Sequence, residues 1–164
     1  MSFDPRSYVY LDWAATAPLC PEAAEAMRPY LEPGAANLAL GTNPNSLHSP
    51  GRAAFSALEA SRSAIARALR AHRPDEVVFT SGATEADNAA LIGIAHAVRD
   101  ARHARAEEVR VVVSAVEHDA VLAPARRLEA EGFDVVRIDP DREGFVRPEA
   151  LSEALGTDGH AALV

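Results

Sequence analysis

Short runs of β-branched and apolar residues alternate with stretches of helical periodicity in the second half of the chain. The runs have the length of β-strands and are bounded by polar or glycine-containing segments. They comprise residues 77–80, 109–114, 134–138 and 161–164. Because a helix-like stretch follows each of the first three, the pattern predicts the order βαβαβαβ. Their continuous apolar character is typical of a parallel sheet that is covered on both faces.

Five stretches carry the spacing of apolar side chains expected for amphipathic helices. These predicted helices comprise residues 21–31, 52–71, 84–99, 119–131 and 148–155. Thr84 and Asp87 have the spacing of a weak capping box at the start of the third helix. Gly132 and Gly156 are placed to end the two helices that precede them. Between the first two helices, residues 34–51 form a loop of a length that is typically functional or disordered.

The segment at residues 80–88 follows the first predicted strand and opens a helix. Its sequence is Thr-Ser-Gly-Ala-Thr-Glu-Ala-Asp-Asn. The backbone N–H groups of Ala83, Thr84 and Glu85 would have no intrahelical acceptor, and the helix dipole adds about half a positive charge there. Such a turn is suited to binding a phosphate. Taken alone, the short motif is equally compatible with an ordinary connection between strand and helix.

The composition limits the class of ligand and the cellular compartment that can be expected for the protein. The 164 residues include 24 acidic side chains and 16 basic ones, all of them arginine, for a net charge of -8. This balance argues against nucleic acid or an anionic membrane as the main partner and favours a small ligand. One cysteine excludes an intramolecular disulfide, and no signal peptide or membrane span is evident, so we expect a cytoplasmic protein.

Four motif blocks occur in order along the chain. They are YLDWAATAP at 10–18, NPNSLHSPGR at 43–52, FTSGATE at 79–85 and EHDAV at 117–121. On these blocks the chain resembles the pyridoxal-phosphate-dependent cysteine desulfurases of the class V aminotransferase group. The second and third blocks favour the NifS/IscS-like branch over the SufS-like one.

The resemblance implies a fold, a cofactor and a set of site residues. The expected fold is α/β, a three-layer αβα sandwich with a mostly parallel sheet, as in the major domain of pyridoxal-phosphate-dependent transferases. Residues 1–50 would form an N-terminal arm, the first helix and a loop, and residues 51–164 the first part of that major domain. By carry-over, Ala83 and Thr84 bind the phosphate of pyridoxal 5'-phosphate. His118 would stack on the cofactor ring and assist proton transfer as a catalytic residue.

The implied activity is removal of sulfur from L-cysteine, which gives L-alanine and an enzyme-bound persulfide. That sulfur would pass to an acceptor such as an iron–sulfur scaffold protein or to tRNA thiolation, and the enzyme would be a homodimer. A selenocysteine lyase or another class V enzyme is an alternative, because the blocks present define the cofactor site and not the substrate. A non-catalytic domain that binds a phosphorylated ligand or a partner is another.

Two residues that the family chemistry needs are missing. The chain has no lysine to hold the cofactor covalently. Its one cysteine, Cys20, precedes the first helix and is not where the family places its persulfide cysteine, so we expect a structural role for it. The family lysine and the persulfide cysteine lie downstream of the region that matches this chain. The chain is therefore expected to be the N-terminal part of a longer desulfurase and to be inactive alone.

Several other residues of the blocks have open or unremarkable roles. His48 and Arg52 are equally compatible with a structural role and with shaping the site or a subunit contact. Trp13 stands where the family commonly has a small polar residue. The remaining histidines show no metal-ligand spacing, so we predict no metal site and expect solvated side chains. They are His72, His96, His103 and His160.

Overall fold

The computed structural model of the protein describes residues 7–13, 15–32, 34, 41–157 and 160–163. The chain divides into two compact units, which comprise Met1–Val78 and Phe79–Val164. The predicted loop at 34–51 is described at residue 34 and from residue 41 onward. The domain boundary that the sequence suggests after residue 50 stays a prediction.

The first unit contains two helices and a short 3₁₀ turn. Helix α1 spans Pro21–Leu31, helix α2 spans Ser49–Leu69, and the 3₁₀ turn spans Pro74–Glu76. Both predicted helices are confirmed, although α2 is shifted toward the N-terminus relative to the predicted 52–71. The shift arises because His48 caps the helix and Arg70 leaves the helical conformation with φ 57°.

Small residues form the buried face of α2. Gly51, Ala54 and Ala66 are buried. The large apolar side chains at helical spacing are more exposed, and Leu69 exposes 72% of its surface. Part of the apolar face of α2 is therefore exposed.

Residues 77–80, which the apolar pattern predicts to be a strand, do not form one. The Val77 carbonyl accepts a hydrogen bond from the Arg62 guanidinium, and Val78 is 75% exposed. A strand exists through hydrogen bonds to a neighbouring strand, and no described residue pairs with this segment. The prediction is wrong for this chain because periodicity records apolar side chains and not the presence of a partner strand.

The second unit is built on a parallel sheet. Strand β1 spans Arg110–Ser114, β2 spans Asp134–Ile138 and β3 spans Ala161–Leu163. Their order is β2-β1-β3, and β1 pairs in parallel with both neighbours. These strands confirm the predictions at 109–114, 134–138 and 161–164, except that β1 begins at Arg110 and residue 164 lies outside the described residues.

Three helices accompany the sheet. Helix α3 spans Ala83–Arg102 and precedes β1, helix α4 spans Asp119–Ala130 and joins β1 to β2, and helix α5 spans Pro148–Leu155 and joins β2 to β3. All three were predicted from the helical periodicity of the sequence. Helices α4 and α5 also supply the crossover connections that parallel neighbouring strands require.

Helices cover both faces of the sheet. On one face, side chains of β1 join α3 and α4 in the main apolar core, which consists of Leu91, Ala95, Val109, Val111, Ala125, Leu128 and Phe133. On the other face, the Arg110 guanidinium lies 2.6 Å from the Asp134 carboxylate and donates to the Leu155 carbonyl of α5 at 3.3 Å. Successive residues of a strand point to opposite faces. The predicted three-layer αβα arrangement is confirmed.

His96 is not the solvated side chain that the sequence suggested. Its Nε2 lies 2.7 Å from Glu131 Oε2, and its ring stacks on Phe133 with centroids 5.4 Å apart. The hydrogen bond from His96, followed by that from Arg127, holds the pKa of the Glu131 carboxyl below its usual range. His96 therefore ties α3 to the end of α4, a contact that spacing along the chain could not reveal.

The helices end where glycine was expected to end them. Gly132 has φ 91° and its N–H donates to the Glu129 carbonyl at 3.0 Å, and Gly156 has φ 64°. Glycine enters this left-handed region without steric cost. Among the described residues, no helix combines the length and the apolar character needed to cross a membrane.

Candidate functional site

The turn that leads into α3 is fixed by hydrogen bonds within the chain. Gly82 is the N-cap residue and Ala83 the first residue of the helix. The Gly82 carbonyl accepts hydrogen bonds from the Ala86 N–H at 3.1 Å and from the Thr80 hydroxyl at 3.0 Å. The residues of the turn therefore set its shape themselves.

The first backbone N–H groups of α3 have no acceptor among the described residues. These are the N–H groups of Ala83, Thr84 and Glu85. Ala83 and Thr84 are exposed, and a Cβ built at Gly82 would meet no atom within 4 Å. The chain itself therefore leaves open space beside these donors. Such donors at the positive end of a helix dipole suit a small anion such as a phosphate group.

The capping box predicted from Thr84 and Asp87 is absent. Because the helix begins at Ala83, Thr84 lies inside its first turn and does not cap it. The Thr84 carbonyl accepts a hydrogen bond from the Asn88 side chain at 2.8 Å, whereas no described residue bonds to its hydroxyl. The hydroxyl is thus available to a ligand in addition to the backbone donors.

Glu85 binds back to the residue that precedes the N-cap. One oxygen of its carboxylate accepts the Ser81 N–H at 2.8 Å and the Ser81 hydroxyl at 2.5 Å. These hydrogen bonds, the one from the hydroxyl first, hold the pKa of Glu85 below its usual range. The sequence interpretation overlooked this pair. The sequence does contain a signal for these hydrogen bonds. With the helix starting at Ala83, Glu85 lies in the first turn, where the glutamate of a capping box is found.

His118 caps helix α4. Its Nδ1 accepts the Ala120 N–H at 3.0 Å, and the residue is exposed. A ring nitrogen that accepts a hydrogen bond carries no proton, so in the neutral ring the proton lies on Nε2. Nε2 is therefore the atom of His118 that remains available to a ligand.

The capping bond predicts how substitutions of His118 affect stability. His118→Ala should lower the free energy of unfolding by about 1 kcal/mol, because the Ala120 N–H loses its acceptor. His118→Asn should remain within about 0.5 kcal/mol of the original chain, because asparagine is among the best N-cap residues. Urea denaturation followed by circular dichroism measures both. Equal losses for the two substitutions would contradict a capping role.

The start of α3 and His118 lie at the same edge of the sheet. Leu91 of α3 lines a cavity together with Ser114, which ends β1. Arg102, at the other end of α3, donates at 3.4 Å to the His160 carbonyl, which lies beside the start of β1. Helix α3 therefore runs antiparallel to β1. The first turn of α3 lies about 12 Å beyond Leu91 at the rise of an α-helix. His118 follows β1 after a short turn. Ligands of open α/β sheets bind at this carboxyl edge.

The predicted site residues share this edge but do not contact one another. Within the described part of the chain, no hydrogen bond or ring contact joins His118 to Ala83 or Thr84. Thr84 lines a groove along α3 that does not include His118. That these residues act on one ligand stays a prediction.

An apolar cavity at the same edge was not predicted. It has a volume of about 520 Å³ and lies between the sheet and its helices. Its wall is largely apolar, with Leu91, Val112, Ile138 and Leu151, and includes Glu117 next to His118. Apolar runs indicate which side chains are buried and not where the layers leave a gap, so the sequence carried no signal for it.

The block at 43–52 forms a tight turn before α2. The Asn43 carbonyl accepts the Ser46 N–H at 3.0 Å, and the Asn43 side chain accepts the Asn45 N–H at 2.9 Å. Gly51 lies directly against this turn. A Cβ at Gly51 would approach the Ser46 carbonyl oxygen to 2.4 Å.

His48 and Arg52 both stabilise this turn. His48 Nδ1 accepts the Gly51 N–H at 3.2 Å, and the Arg52 guanidinium donates to the Leu47 carbonyl and, at 3.2 Å, to the Ser49 hydroxyl. The structure therefore gives both residues a structural role. A further role at the site or at a subunit contact stays a prediction.

Trp13 contacts a neighbouring tyrosine, and Cys20 is exposed. Trp13 Nε1 donates to the Tyr10 carbonyl at 3.1 Å, and the two rings meet edge to face with centroids 5.8 Å apart. Cys20 is exposed just before α1 and its side chain makes no capping hydrogen bond, so the structure offers no support for a structural role of its thiol. In the described ranges, no cluster of His, Cys, Asp or Glu could hold a metal ion.

Comparison with known proteins decides the family. The family model of the class V aminotransferases matches residues 9–163, nearly the entire chain. The chain belongs to the class V aminotransferase family. The resemblance inferred from the four motif blocks is thereby confirmed.

Curated proteins that resemble the chain include cysteine desulfurases. Cysteine desulfurase IscS of Dictyoglomus turgidum is 43% identical over 150 residues, which are 92% of this chain and 35% of the relative. An IscS-like cysteine desulfurase of Mycobacterium tuberculosis is 44% identical over 156 residues, 94% of this chain and 37% of the relative. The chain thus spans about a third of the length of these relatives.

Two solved structures resemble the fold of the chain. SspA in complex with cysteine matches with a TM-score of 0.69 and 31% identity over 93% of this chain and 40% of SspA. A NifS-like protein matches with a TM-score of 0.68 and 28% identity over 88% of this chain and 36% of that protein. The α/β fold expected from the sequence is confirmed by both.

Proposed function

We propose that the chain forms the phosphate-binding part of the pyridoxal 5'-phosphate site of a cysteine desulfurase. The supporting observation is the start of α3, where the N–H groups of Ala83 and Thr84 and the Thr84 hydroxyl have no partner among the described residues. The open space beside Gly82 fits a phosphate group close to the backbone. Membership of the class V family and desulfurase relatives support the identity of the cofactor.

Each residue has a distinct part in this proposal. Ala83 and Thr84 would bind the phosphate through charge-assisted hydrogen bonds, the strong kind that an anion forms with N–H and O–H donors. His118 would lie against the ring and hold or move a proton at Nε2, because Ala120 occupies Nδ1. When bound, the cofactor supplies a ring that withdraws electrons from the substrate.

For the whole protein, we propose removal of sulfur from L-cysteine to give L-alanine and a protein-bound persulfide. The names of the relatives and the cysteine complex of SspA support this substrate. Delivery of sulfur to an acceptor for iron–sulfur clusters or tRNA thiolation, homodimerisation and a cytoplasmic location belong to the same proposal. Because this chain has no lysine, covalent attachment of the cofactor would require a residue outside it, and the chain alone is expected to be inactive.

Binding of pyridoxal 5'-phosphate to the purified chain tests the phosphate site. We expect reversible binding that dialysis removes and that borohydride does not convert into a covalent adduct. Pyridoxal, which lacks the phosphate, should bind far more weakly. Thr84→Val should weaken binding of the phosphate form about fivefold to tenfold, because one charge-assisted hydrogen bond is lost.

Thr157→Val is the matched control, because Thr157 is also exposed but lies at the exit of α5. It should leave the affinity unchanged. Equal binding of pyridoxal and its phosphate, or equal effects of the two substitutions, would refute the phosphate site. If borohydride reduction attached pyridoxal 5'-phosphate to a side chain of this chain, the expectation that covalent attachment needs a lysine outside the chain would be contradicted.

A further inference from the structure

We propose that Glu85 is the positioning residue of the phosphate-binding turn. Its carboxylate holds Ser81 in place, so that the first N–H groups of α3 and the Thr84 hydroxyl remain without a partner among the described residues. This inference rests on the proposed phosphate site and adds a residue to which no role in it has been given. Glu85 itself would not contact the phosphate.

The geometry ties Glu85 to the turn at two points. The same carboxylate oxygen accepts the Ser81 backbone N–H at 2.8 Å and the Ser81 hydroxyl at 2.5 Å. Ser81 directly precedes Gly82, whose φ and ψ of 169° and 176° define the entry to α3. Glycine is the residue least able to hold one backbone conformation unaided. Because Ser81 precedes Gly82 and Glu85 lies in the helix that follows, these bonds restrict the backbone freedom of Gly82.

The hydroxyls of Ser81 and Thr84 are thereby separated by function. The Ser81 hydroxyl donates its proton to Glu85 and has none left to donate to an anion. The Thr84 hydroxyl bonds to no described residue and can donate. Glu85 thus decides which of the two neighbouring hydroxyls serves as an anion donor.

A carboxylate in the first turn of an anion-binding helix requires explanation, because its charge opposes that of the ligand. An acidic residue there could simply complement the helix dipole. The hydrogen bonds from Ser81 argue for a more specific role, since they lower the pKa of Glu85 and keep it an acceptor. A glutamine can accept the same hydrogen bonds without the charge, which allows geometry and charge to be tested separately.

The test compares Glu85→Ala, Glu85→Gln and Glu149→Ala in the full 164-residue chain. Glu149 is a matched control, because it is an exposed glutamate in the first turn of α5. The probes are inorganic phosphate, followed through the NMR shifts of the Ala83 and Thr84 amides, and pyridoxal 5'-phosphate, followed by absorbance. Amide hydrogen exchange of Ser81 without ligand reports the turn itself.

We expect Glu85→Ala to weaken both affinities about tenfold and to accelerate exchange at Ser81 by a similar factor. Glu85→Gln should restore slow exchange and bind phosphate at least as tightly as the original chain. Glu149→Ala should change neither property. A merely structural loss would lower thermal stability in both Glu85 variants and would not be rescued by glutamine.

The outcomes separate this inference from the proposed function. If the original chain binds neither phosphate nor pyridoxal 5'-phosphate, the proposed site is refuted. If it binds both and Glu85→Ala binds equally well, only the role of Glu85 is refuted. Glutamine and alanine variants that weaken binding to the same extent would also overturn it, because geometry would then not explain the effect.

Discussion

Gly51→Ala is expected to destabilise the first unit by about 1–3 kcal/mol, the usual cost of overpacking a tight site. A Cβ at Gly51 would lie 2.4 Å from the Ser46 carbonyl oxygen and 3.0 Å from that of Asn43. Both obstacles are backbone atoms, so no side-chain rotation can relieve the clash. The turn at 43–46 would have to move away from α2, and the cap formed by His48 would weaken with it.

Urea denaturation followed by tryptophan fluorescence measures this loss, because Trp13 is the single tryptophan and lies in the first unit. Gly93→Ala is the matched control, followed by circular dichroism because Gly93 lies in the second unit. A Cβ at Gly93 in α3 would meet no atom within 4 Å, so alanine there should stabilise the chain by about 0.5–1 kcal/mol through its better helix propensity. A stabilising or neutral Gly51→Ala would show that the turn does not pack against α2 as described.

Leu128→Ala is expected to cost about 2–5 kcal/mol, the range for removing a large buried aliphatic side chain. Leu128 is fully buried at 0% exposure and belongs to the core that joins α4 to α3 and β1. Because that core also fixes the helices at whose starts His118 and the proposed phosphate-binding turn lie, the substitution should weaken the proposed ligand binding as a secondary effect. The cavity left behind would be lined by rigid neighbours that cannot fill it.

Circular dichroism during urea denaturation of the 164-residue chain measures the effect of Leu128→Ala. Leu69→Ala is a suitable control, because Leu69 is also a helical leucine near a helix end but is 72% exposed. Its substitution should change the free energy of unfolding by less than about 0.5 kcal/mol. Similar losses for Leu128 and Leu69 would contradict the assignment of the core.

Periodicity predicted most of the elements because each element depends on local pattern and on its capping residues. Helices α1 and α5 have the predicted bounds, and Gly132 ends α4 in the left-handed conformation expected of it. The segment at 77–80 failed because a strand requires a neighbour, which apolar composition does not report. His96 was misjudged for a similar reason, since its partner Glu131 is distant in sequence.

The sequence motifs likewise predicted only part of the candidate site. The turn before α3, Thr84 and His118 were found from the motif blocks, and His118 was expected at the carboxyl edge because it follows the predicted strand at 109–114. The predicted strand before the turn is absent, so only the path of α3 in the structure places the turn at the same edge. The hydrogen bonds that Ser81 donates to the Glu85 carboxylate were missed because the helix start had been placed at Thr84. The capping bond of His118 and the apolar cavity beside Glu117 depend on atomic positions that no motif encodes.

By itself, the sequence determined the α/β class, the family and the absence of lysine. These follow from residue types, their order and their spacing. Only the tertiary structure decided which donors remain unused at the start of α3, which nitrogen of His118 is available and why position 51 is glycine. The physical reason is that hydrogen bonding and steric exclusion depend on distances of a few tenths of an ångström, which folding sets and spacing along the chain does not.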